Sequence, residues 1–223
     1  MMMMALLFSI GSTVSSSARM IHQYTFNTGS LVTDGVGASA GTLMGGATMS
    51  GGQALFPYQG PYVQLPAGVL GSSSSVSIEM WMYVSSSNTA SAPRMIDFGT
   101  KVNNMNIARD FNGFFLLQYN SPTGWVSNAD TSFAFASLGY VHVVLVVPSG
   151  GYAQLYVNGN LALIAPSTFT IPSVSQQTLF YIGKSLTAVD VGLVGSVDEL
   201  RIWSSALDAT QVKASYTAGR FVY

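Results

Sequence analysis

The chain has 223 residues and a formal net charge of −1, and only 8% of its residues are charged, whereas soluble domains usually carry about 25%. Without a cationic surplus it is not suited to binding the phosphates of a nucleic acid. Gly, Ser and Thr interrupt every apolar run before it reaches the roughly 20 residues of a membrane span, and the absence of cysteine excludes disulfides and thiolate chemistry.

In chain order, the N-terminus comes first and has two interpretations. Met1 to Ala18 runs from MMMMALLFSI into GSTVSSSA. This order is typical of the hydrophobic and cleavage regions of a signal peptide, although the positive n-region is missing. The same residues also suit an N-terminal strand or arm, with Ala5 to Ile10 as an edge strand. After it we expect one domain over residues 19–223, a length at which a chain buries a core without disulfides.

Short runs separated by turn residues predict β-strands along most of this domain. Apolar and polar side chains alternate in Val76 to Val84, which places Ile78 and Met80 on one face and Glu79 and Trp81 on the other. The Gly/Ser/Thr-rich passage Asn27–Gly52 is predicted as a connection. The other predicted strands are Met20–Phe26, Gln53–Phe56, Tyr62–Leu65, Arg94–Phe98, Met105–Arg109, Phe114–Tyr119, Gly124–Ser127, Tyr140–Val147, Tyr152–Val157, Leu161–Ile164, Leu179–Gly183 and Val194–Trp203.

A hairpin and one helix complete the prediction. The turn PSGG joins Tyr140–Val147 to Tyr152–Val157, and both the turn residues and the two strand patterns predict a hairpin. Asp208 to Ala214 alone has a helical composition, with Asp208 placed as its N-cap. The pattern predicts an all-β protein made of two antiparallel sheets around a core about 10 Å thick.

Several of these segments resemble the laminin-G-like group of the concanavalin A-like lectin/glucanase superfamily, in the order of that family. The resemblance extends from Tyr24 to Ala218 and implies a jelly-roll sandwich. Tyr140 departs from the family pattern, which usually has Trp there, but an aromatic residue is retained. The matching segments include YVQLP (Tyr62–Pro66), VSIEMWMYV (Val76–Val84), RMIDFGT (Arg94–Thr100), AQLYVNGNL (Ala153–Leu161), FYIGKS (Phe180–Ser185) and GSVDELRIWSSALDATQV (Gly195–Val212).

The acidic residues are too scattered to suggest an enzyme. The glucanases of this superfamily use two carboxylates about 5 to 5.5 Å apart on alternate residues of a strand. Glu79 is alone on its strand and would have to meet Asp97 across strands, and the adjacent Asp198 and Glu199 should point to opposite faces. We therefore expect no enzymatic activity.

The two histidines also suggest no catalytic site. His142 lies in an apolar strand, where we expect a buried imidazole that donates to a backbone carbonyl. His22 has no nucleophile motif of the Gly-x-Ser-x-Gly kind beside it.

Calcium is the metal that the resemblance implies. Related domains often hold Ca²⁺ near a sheet edge through Asp side chains and backbone carbonyls, and the corresponding residues here are Asp34 and Asp198. A calcium ion there would be structural. The alternatives are that Asp34 forms a turn and that Asp198 pairs with backbone N–H groups or with Arg201.

Glycan binding is the functional hypothesis that the polar residues favour. Planar side chains stack on sugars, while amides and carboxylates pair with hydroxyls on a rigid scaffold. Alternatively, Arg94 and Asp97 form a structural pair and the asparagines form turns. Trp81 and Trp203 are expected to pack in the core or between the sheets. The candidate ligand-binding residues are Arg94, Asp97, Asn104, Asn106, Arg109, Tyr119 and Trp125.

Two functions from different classes remain open. The first is a non-enzymatic carbohydrate-binding or adhesion module, secreted or displayed on a surface, whose partners are glycans or glycoproteins. The second is a structural subunit that self-associates into a filament, sheath or virion shell, because few charges leave little repulsion between copies and Met1 to Ile10 could extend a neighbour's sheet.

Overall fold

A computed structural model describes residues 18–27, 31–88, 92–110, 113–121, 124–127, 139–187 and 191–220. Its strands form two antiparallel sheets packed face to face, which confirms the predicted all-β sandwich. The prediction for the N-terminal stretch Met1 to Ala18 lies outside these ranges except for its last residue. Nowhere in the described ranges is there a helix with the length and hydropathy of a membrane span.

The fold contains fifteen strands and one α-helix in the described ranges. A single turn of 3-10 helix at Val174–Gln176 precedes the last two strands in the sequence. The elements are β1 (Met20–Tyr24), β2 (Thr42–Met44), β3 (Thr48–Ser50), β4 (Gln53–Phe56), β5 (Tyr62–Leu65), β6 (Val76–Val84), β7 (Arg94–Gly99), β8 (Asn104–Arg109), β9 (Phe115–Ser121), β10 (Gly124–Ser127), β11 (Tyr140–Val147), β12 (Tyr152–Val157), β13 (Asn160–Thr168), β14 (Leu179–Ile182), β15 (Gly195–Trp203) and α1 (Ala209–Ala218).

The strand order interleaves distant parts of the chain. One sheet has eight strands in the order β13-β12-β11-β6-β15-β4-β3, and β1 also pairs with β15. The other has seven strands in the order β10-β9-β8-β7-β14-β5-β2. The inner faces of both sheets form one continuous core. Ile78 and Met80 are fully buried in it, as the alternation predicts, and each such side chain contributes about 1.5 to 3 kcal/mol to stability.

Several predicted elements differ from the structure at their limits. The passage Asn27–Gly52, predicted without strands, contains β2 and β3, because three residues are enough to join a sheet edge but too few to show a period. The strand predicted over Leu161–Ile164 runs through Pro166 as β13, an edge strand in which a missing N–H is tolerated. Asp208 caps α1 as predicted, since its Oδ1 accepts a hydrogen bond from the backbone N–H of Gln211 at 2.8 Å.

A β-bulge in β15 contradicts the prediction that Asp198 and Glu199 point to opposite faces. Val197 pairs with Met82 and Glu199 with Trp81, which leaves Asp198 as the extra residue. Because Val197 and Leu200 both enter the core, the two acidic side chains between them share the outer face.

Candidate functional site

A row of cross-strand neighbours runs across the outer face of the seven-stranded sheet. Directly paired residues of antiparallel strands lie on the same face, and each member's pairing partner is the next member along the row. With strands about 4.8 Å apart, its six residues span about 24 Å. The polar row consists of Thr42, Gln64, Tyr181, Asp97, Asn106 and Gln118.

The row is exposed at its Thr42 end, fully buried in its middle and half-buried at Gln118. Thr42 is exposed and Gln64 and Tyr181 are half-buried, whereas Asp97 and Asn106 are fully buried. The opposite face of the same strands carries core residues such as Phe180 and Ile107, so the alternation of these strands sorts polar from apolar side chains. A ligand would therefore meet the β2–β5–β14 end of the row first.

Asp97 lies at the centre of the row and is held by three donors. Its Oδ1 accepts from Asn104 Nδ2 at 2.5 Å, and its Oδ2 accepts from Leu186 N at 2.9 Å and from Ser185 Oγ at 3.3 Å. Burial raises the pKa of Asp97 to about 6, although these hydrogen bonds and the charge of Arg94 act against the rise. Asp97 therefore titrates near neutral pH.

Next to Asp97, several buried amide atoms have no hydrogen-bond partner in the part of the chain that the structure describes. They are both side-chain polar atoms of Asn106, Oδ1 of Asn104 and Oε1 of Gln118. A buried polar atom without a partner costs about 1 to 3 kcal/mol, and such groups are rare in folded proteins. A hydroxyl group both donates and accepts, so sugar hydroxyls are chemically suited to these donors and acceptors.

The exposed end of the row carries an aromatic pair with a cation above it. The rings of Tyr62 and Tyr181 meet edge to face, with centroids 5.0 Å apart. Lys184 Nζ lies 4.1 Å from the Tyr62 centroid and 5.4 Å from that of Tyr181. The sequence analysis did not select these three residues or Gln118. The alternation within YVQL and LFYI could have indicated that the two tyrosines lie on the outer face of the sheet.

The structure brings together only some of the predicted glycan-binding residues. Asp97, Asn104 and Asn106 lie side by side, as described above. Arg94 is buried and donates through Nη1 to the carbonyl of Ala92 at 3.1 Å. Arg109 donates to the carbonyl of Asn88 at 2.8 Å and so fixes a loop.

Of the two predicted aromatic platforms, Tyr119 faces away from the polar row, and the prediction for Trp125 is not tested by the described side chains. Tyr119 was predicted to contact a ligand, but it lies on the inner face of β9 within the core, and its ring packs against Phe169 at 5.7 Å. Tyr119 faces the core because successive residues of a strand point to opposite faces, and its neighbour Gln118 lies on the outer face. Trp125 lies in β10 at the sheet edge, and its side chain is outside the described part of the structure.

The two predicted calcium ligands are occupied by hydrogen-bond donors. Asp34 accepts from the backbone N–H groups of Gln23, Val36, Gly37 and Ser39 and is bonded to His22 Nδ1 at 2.5 Å. This arrangement is the turn that the alternative interpretation described, and its oxygens do not fit a hard cation.

Asp198 likewise has a basic partner. Its Oδ2 accepts from Arg220 Nη1 at 2.7 Å, so the partner is Arg220 and not the expected Arg201. In the described ranges no group of three His, Cys, Asp or Glu residues is close enough to hold a metal ion. Calcium binding therefore remains a prediction without support from these contacts.

A second polar cluster lies on the outer face of the eight-stranded sheet, under α1. Glu79 Oε1 is 2.9 Å from His142 Nε2 and 3.1 Å from Arg201 Nη1, and it also accepts from Ser215 of α1. Arg201 in turn binds Glu199 through Nε and Nη2 at 2.7 and 3.0 Å. Burial raises the pKa of Glu79, but His142, Arg201 and Ser215 together hold it below its usual value.

This cluster corrects three expectations. His142 does not donate to a backbone carbonyl, because the carboxylate of Glu79 faces it from the neighbouring strand. Trp203 donates through Nε1 to Glu79 Oε2 at 3.0 Å, and Trp81 stacks on Tyr216 of α1 at 5.8 Å. Both indoles therefore pack between the sheet and the helix and not between the sheets.

A pocket of about 580 Å³ opens beside this cluster, between α1 and the start of β1. Arg201 and Ser215 contribute to its lining together with Met20, Trp203 and Leu207. Since Glu79 and Glu199 are 1% exposed and are bound by Arg201, the cluster joins the helix to the sheet and offers no pair of free carboxylates.

Comparison with known proteins gives the family. Residues 58–213 match the family described as the concanavalin A-like lectin/glucanases superfamily. The chain belongs to this superfamily. No curated protein matches the sequence.

Solved structures show the same lectin-like fold. Domain 4 of AbnA, an extracellular GH43 arabinanase from Geobacillus stearothermophilus in complex with arabinotriose, is 23% identical, with a TM-score of 0.66, and the match covers 88% of this chain and 98% of that one. Trypanosoma rangeli sialidase matches at 12% identity and a TM-score of 0.70, over 88% of this chain and 32% of that one.

The third similar structure belongs to a toxin. Botulinum neurotoxin type C, whose cell entry depends on two ganglioside molecules, matches at 13% identity and a TM-score of 0.66. The match covers 91% of this chain and 52% of the toxin chain. This lectin-like chain therefore spans about a third of the sialidase and half of the toxin chain.

Proposed function

We propose that this protein is a non-enzymatic carbohydrate-binding module, and that the polar row is its glycan site. The observation that carries the proposal is the row itself, in which tyrosine, amide and carboxylate side chains lie in cross-strand register next to unpartnered amide atoms. Apolar rings with a few convergent polar groups are the usual composition of a small-molecule site.

The arrangement supports binding and not hydrolysis. Asp97 is the only acidic residue of the row, and Glu79 belongs to the opposite sheet. Hydrolysis by paired carboxylates needs two of them about 5 to 9.5 Å apart around one bond. A binding role is also in keeping with the lectin-like fold and with the sugar ligands of two similar proteins, an arabinotriose and gangliosides.

A glycan array followed by calorimetry tests this proposal. We expect Tyr181→Ala and Gln64→Ala, which remove half-buried side chains of the row, each to weaken binding of any glycan that the array identifies by about 10-fold or more, which corresponds to one lost stacking contact or hydrogen bond. Tyr152→Ala, which removes a half-exposed tyrosine from the other sheet, is the control and should bind normally. Failure of the protein to bind any glycan, with or without calcium, would contradict the proposal.

Extracellular or surface display belongs to the same proposal, because free glycans and glycoproteins are accessible there. Its support is the composition, low in charge and rich in Ser, Thr and Gly, together with the extracellular arabinanase among the similar structures.

Self-association into a filament, sheath or shell is the second candidate, and one surface favours it. On the outer face of β12 and β13, Tyr152, Leu161 and Ile164 are 53, 48 and 53% exposed. A bulge in β13 brings Leu161 and Ile164 to the same face, opposite Tyr156 and Gln154 of β12. Met1 to Ile10, the strand first considered for assembly, lies outside the described residues.

A further inference from the structure

We propose that the Tyr62–Tyr181–Lys184 cluster selects acidic glycans, in which a sugar carboxylate or sulfate pairs with Lys184. This inference rests on the proposed glycan site and adds the chemical class of its ligand. The inference starts from the position of one cation. Lys184 lies two residues after the end of β14, and its ammonium group is over the tyrosine rings at the exposed end of the polar row.

The fold places Lys184 over the row by a tight turn. Gly183 has φ of +87°, a conformation that disfavours residues with a Cβ, and its N–H donates to the carbonyl of Met95 at 2.8 Å. After this turn the chain folds back over the sheet, because Ser185 and Leu186 both bond to Asp97. Lys184, between Gly183 and Ser185, is thereby held at the face where the tyrosines lie.

The charge of Lys184 is not neutralised within the described structure. The five ion pairs found there join other residues, and Asp97, the carboxylate of the row, is occupied by its three donors. Two tyrosine rings stabilise the ammonium group through cation–π contacts without removing its positive charge. The group therefore remains available to an anion.

The surroundings favour a sugar acid over a simple anion. An anion bound to Lys184 would lie beside the half-buried ring of Tyr181, on which an apolar sugar face can stack. The Tyr62 ring is 9% exposed and lies beneath the ammonium group, which it helps to hold in place. Gln64, the neighbour of Tyr181 in the row, adds an amide for hydroxyl groups. A small inorganic anion would use only the ammonium group.

A matched pair of ligands tests the inference. An oligogalacturonate and its fully methyl-esterified form share one backbone and differ in carboxylate charge, and their affinities can be compared by calorimetry at low and high salt. We expect the acid form to bind about 2- to 5-fold more tightly at low salt, the range of an exposed ion pair. The preference should disappear in Lys184→Met, remain in Lys184→Arg, and weaken as salt is added.

Lys213→Met is the control, because Lys213 also lies over a tyrosine, at 5.2 Å from the Tyr216 ring, but on α1. Equal affinity for the two ligands, or a preference that survives in Lys184→Met, would overturn the inference and leave the proposed function intact. Equally tight binding of polyglutamate would also overturn it, since it would show attraction by charge without a sugar. No binding of these or any other glycans would refute the proposed function itself.

Discussion

At the scale of single residues, Asp97 gives a prediction about pH. Its pKa is about 6 in the folded protein and about 3.9 in an unfolded chain, so the folded state binds the proton more tightly. The contribution of Asp97 to the free energy of unfolding is therefore full below pH 4 and is lost as the pH rises through 6. Asp97→Asn removes this dependence. Between pH 4 and pH 7 the free energy of unfolding of the variant should therefore rise by about 2 kcal/mol relative to that of the wild type.

Urea unfolding of both proteins at the two pH values measures this difference. The comparison between pH values cancels any fixed cost of replacing the carboxylate that Asn104, Ser185 and Leu186 contact. A stability difference between variant and wild type that is the same at pH 4 and pH 7 would show that Asp97 is not buried as described.

At the scale of secondary structure elements, α1 depends on its N-terminal cap. Asp208 and Gln211 exchange hydrogen bonds with each other's backbone N–H groups at 2.8 and 2.9 Å. Asp208→Ala should lower the free energy of unfolding by about 1 kcal/mol, whereas Asp208→Ser, which keeps an oxygen acceptor, should lose much less. Urea midpoints would measure both, and an equal loss in the two variants would contradict the capping role.

The same helix helps to explain how Glu79 can be buried. Ser215 and Tyr216 lie on α1 and contact Glu79 and Trp81, and Arg201 pairs with the carboxylate from the adjacent strand. A buried carboxylate is tolerated only when it is paired and hydrogen-bonded. Strand β6 therefore carries its charged residue because β11, β15 and α1 all supply partners.

At the scale of the whole molecule, low charge and the apolar patch on β13 lead to a prediction about association. With a net charge of −1, repulsion between copies is weak. Sedimentation velocity over a range of concentrations should show oligomers, and Ile164→Lys should shift them towards monomer. Val102→Lys, at a 63% exposed position in the connection between β7 and β8 of the other sheet, is the control. Wild-type protein that is monomeric at every concentration would exclude assembly through this surface.

Much of the fold could be predicted from the sequence, because the alternation of apolar and polar residues within a strand can be recognised in a short stretch of sequence. The alternation in VSIEMWMYV correctly placed Ile78 in the core and Glu79 outside it. The short strands β2 and β3 were missed, since three residues carry no measurable period. The bulge at Asp198 was missed as well, because an extra residue in a strand depends on the pairing with its neighbour.

The candidate site was predictable only in part. Asp97, Asn104 and Asn106 were selected from one polar segment, and strands β7 and β8 are neighbours in both sequence and space. Tyr62 and Tyr181 come from β5 and β14, which are distant in the sequence and meet only because β14 inserts between β5 and β7. Tyr119 was assigned to the ligand although its strand turns it into the core.

The sequence by itself determined the class of this protein: short alternating strands, a capped helix, too few charges for nucleic acid and the motifs of a lectin-like sandwich. Only the tertiary structure decided which polar residues act together. The reason is that alternation fixes the face on which a side chain lies, but the order and register of the strands fix its neighbours. Asp97 lies beside Tyr181 and Asn106, and Glu79 beside His142 and Arg201, through pairings between strands that the local sequence does not encode.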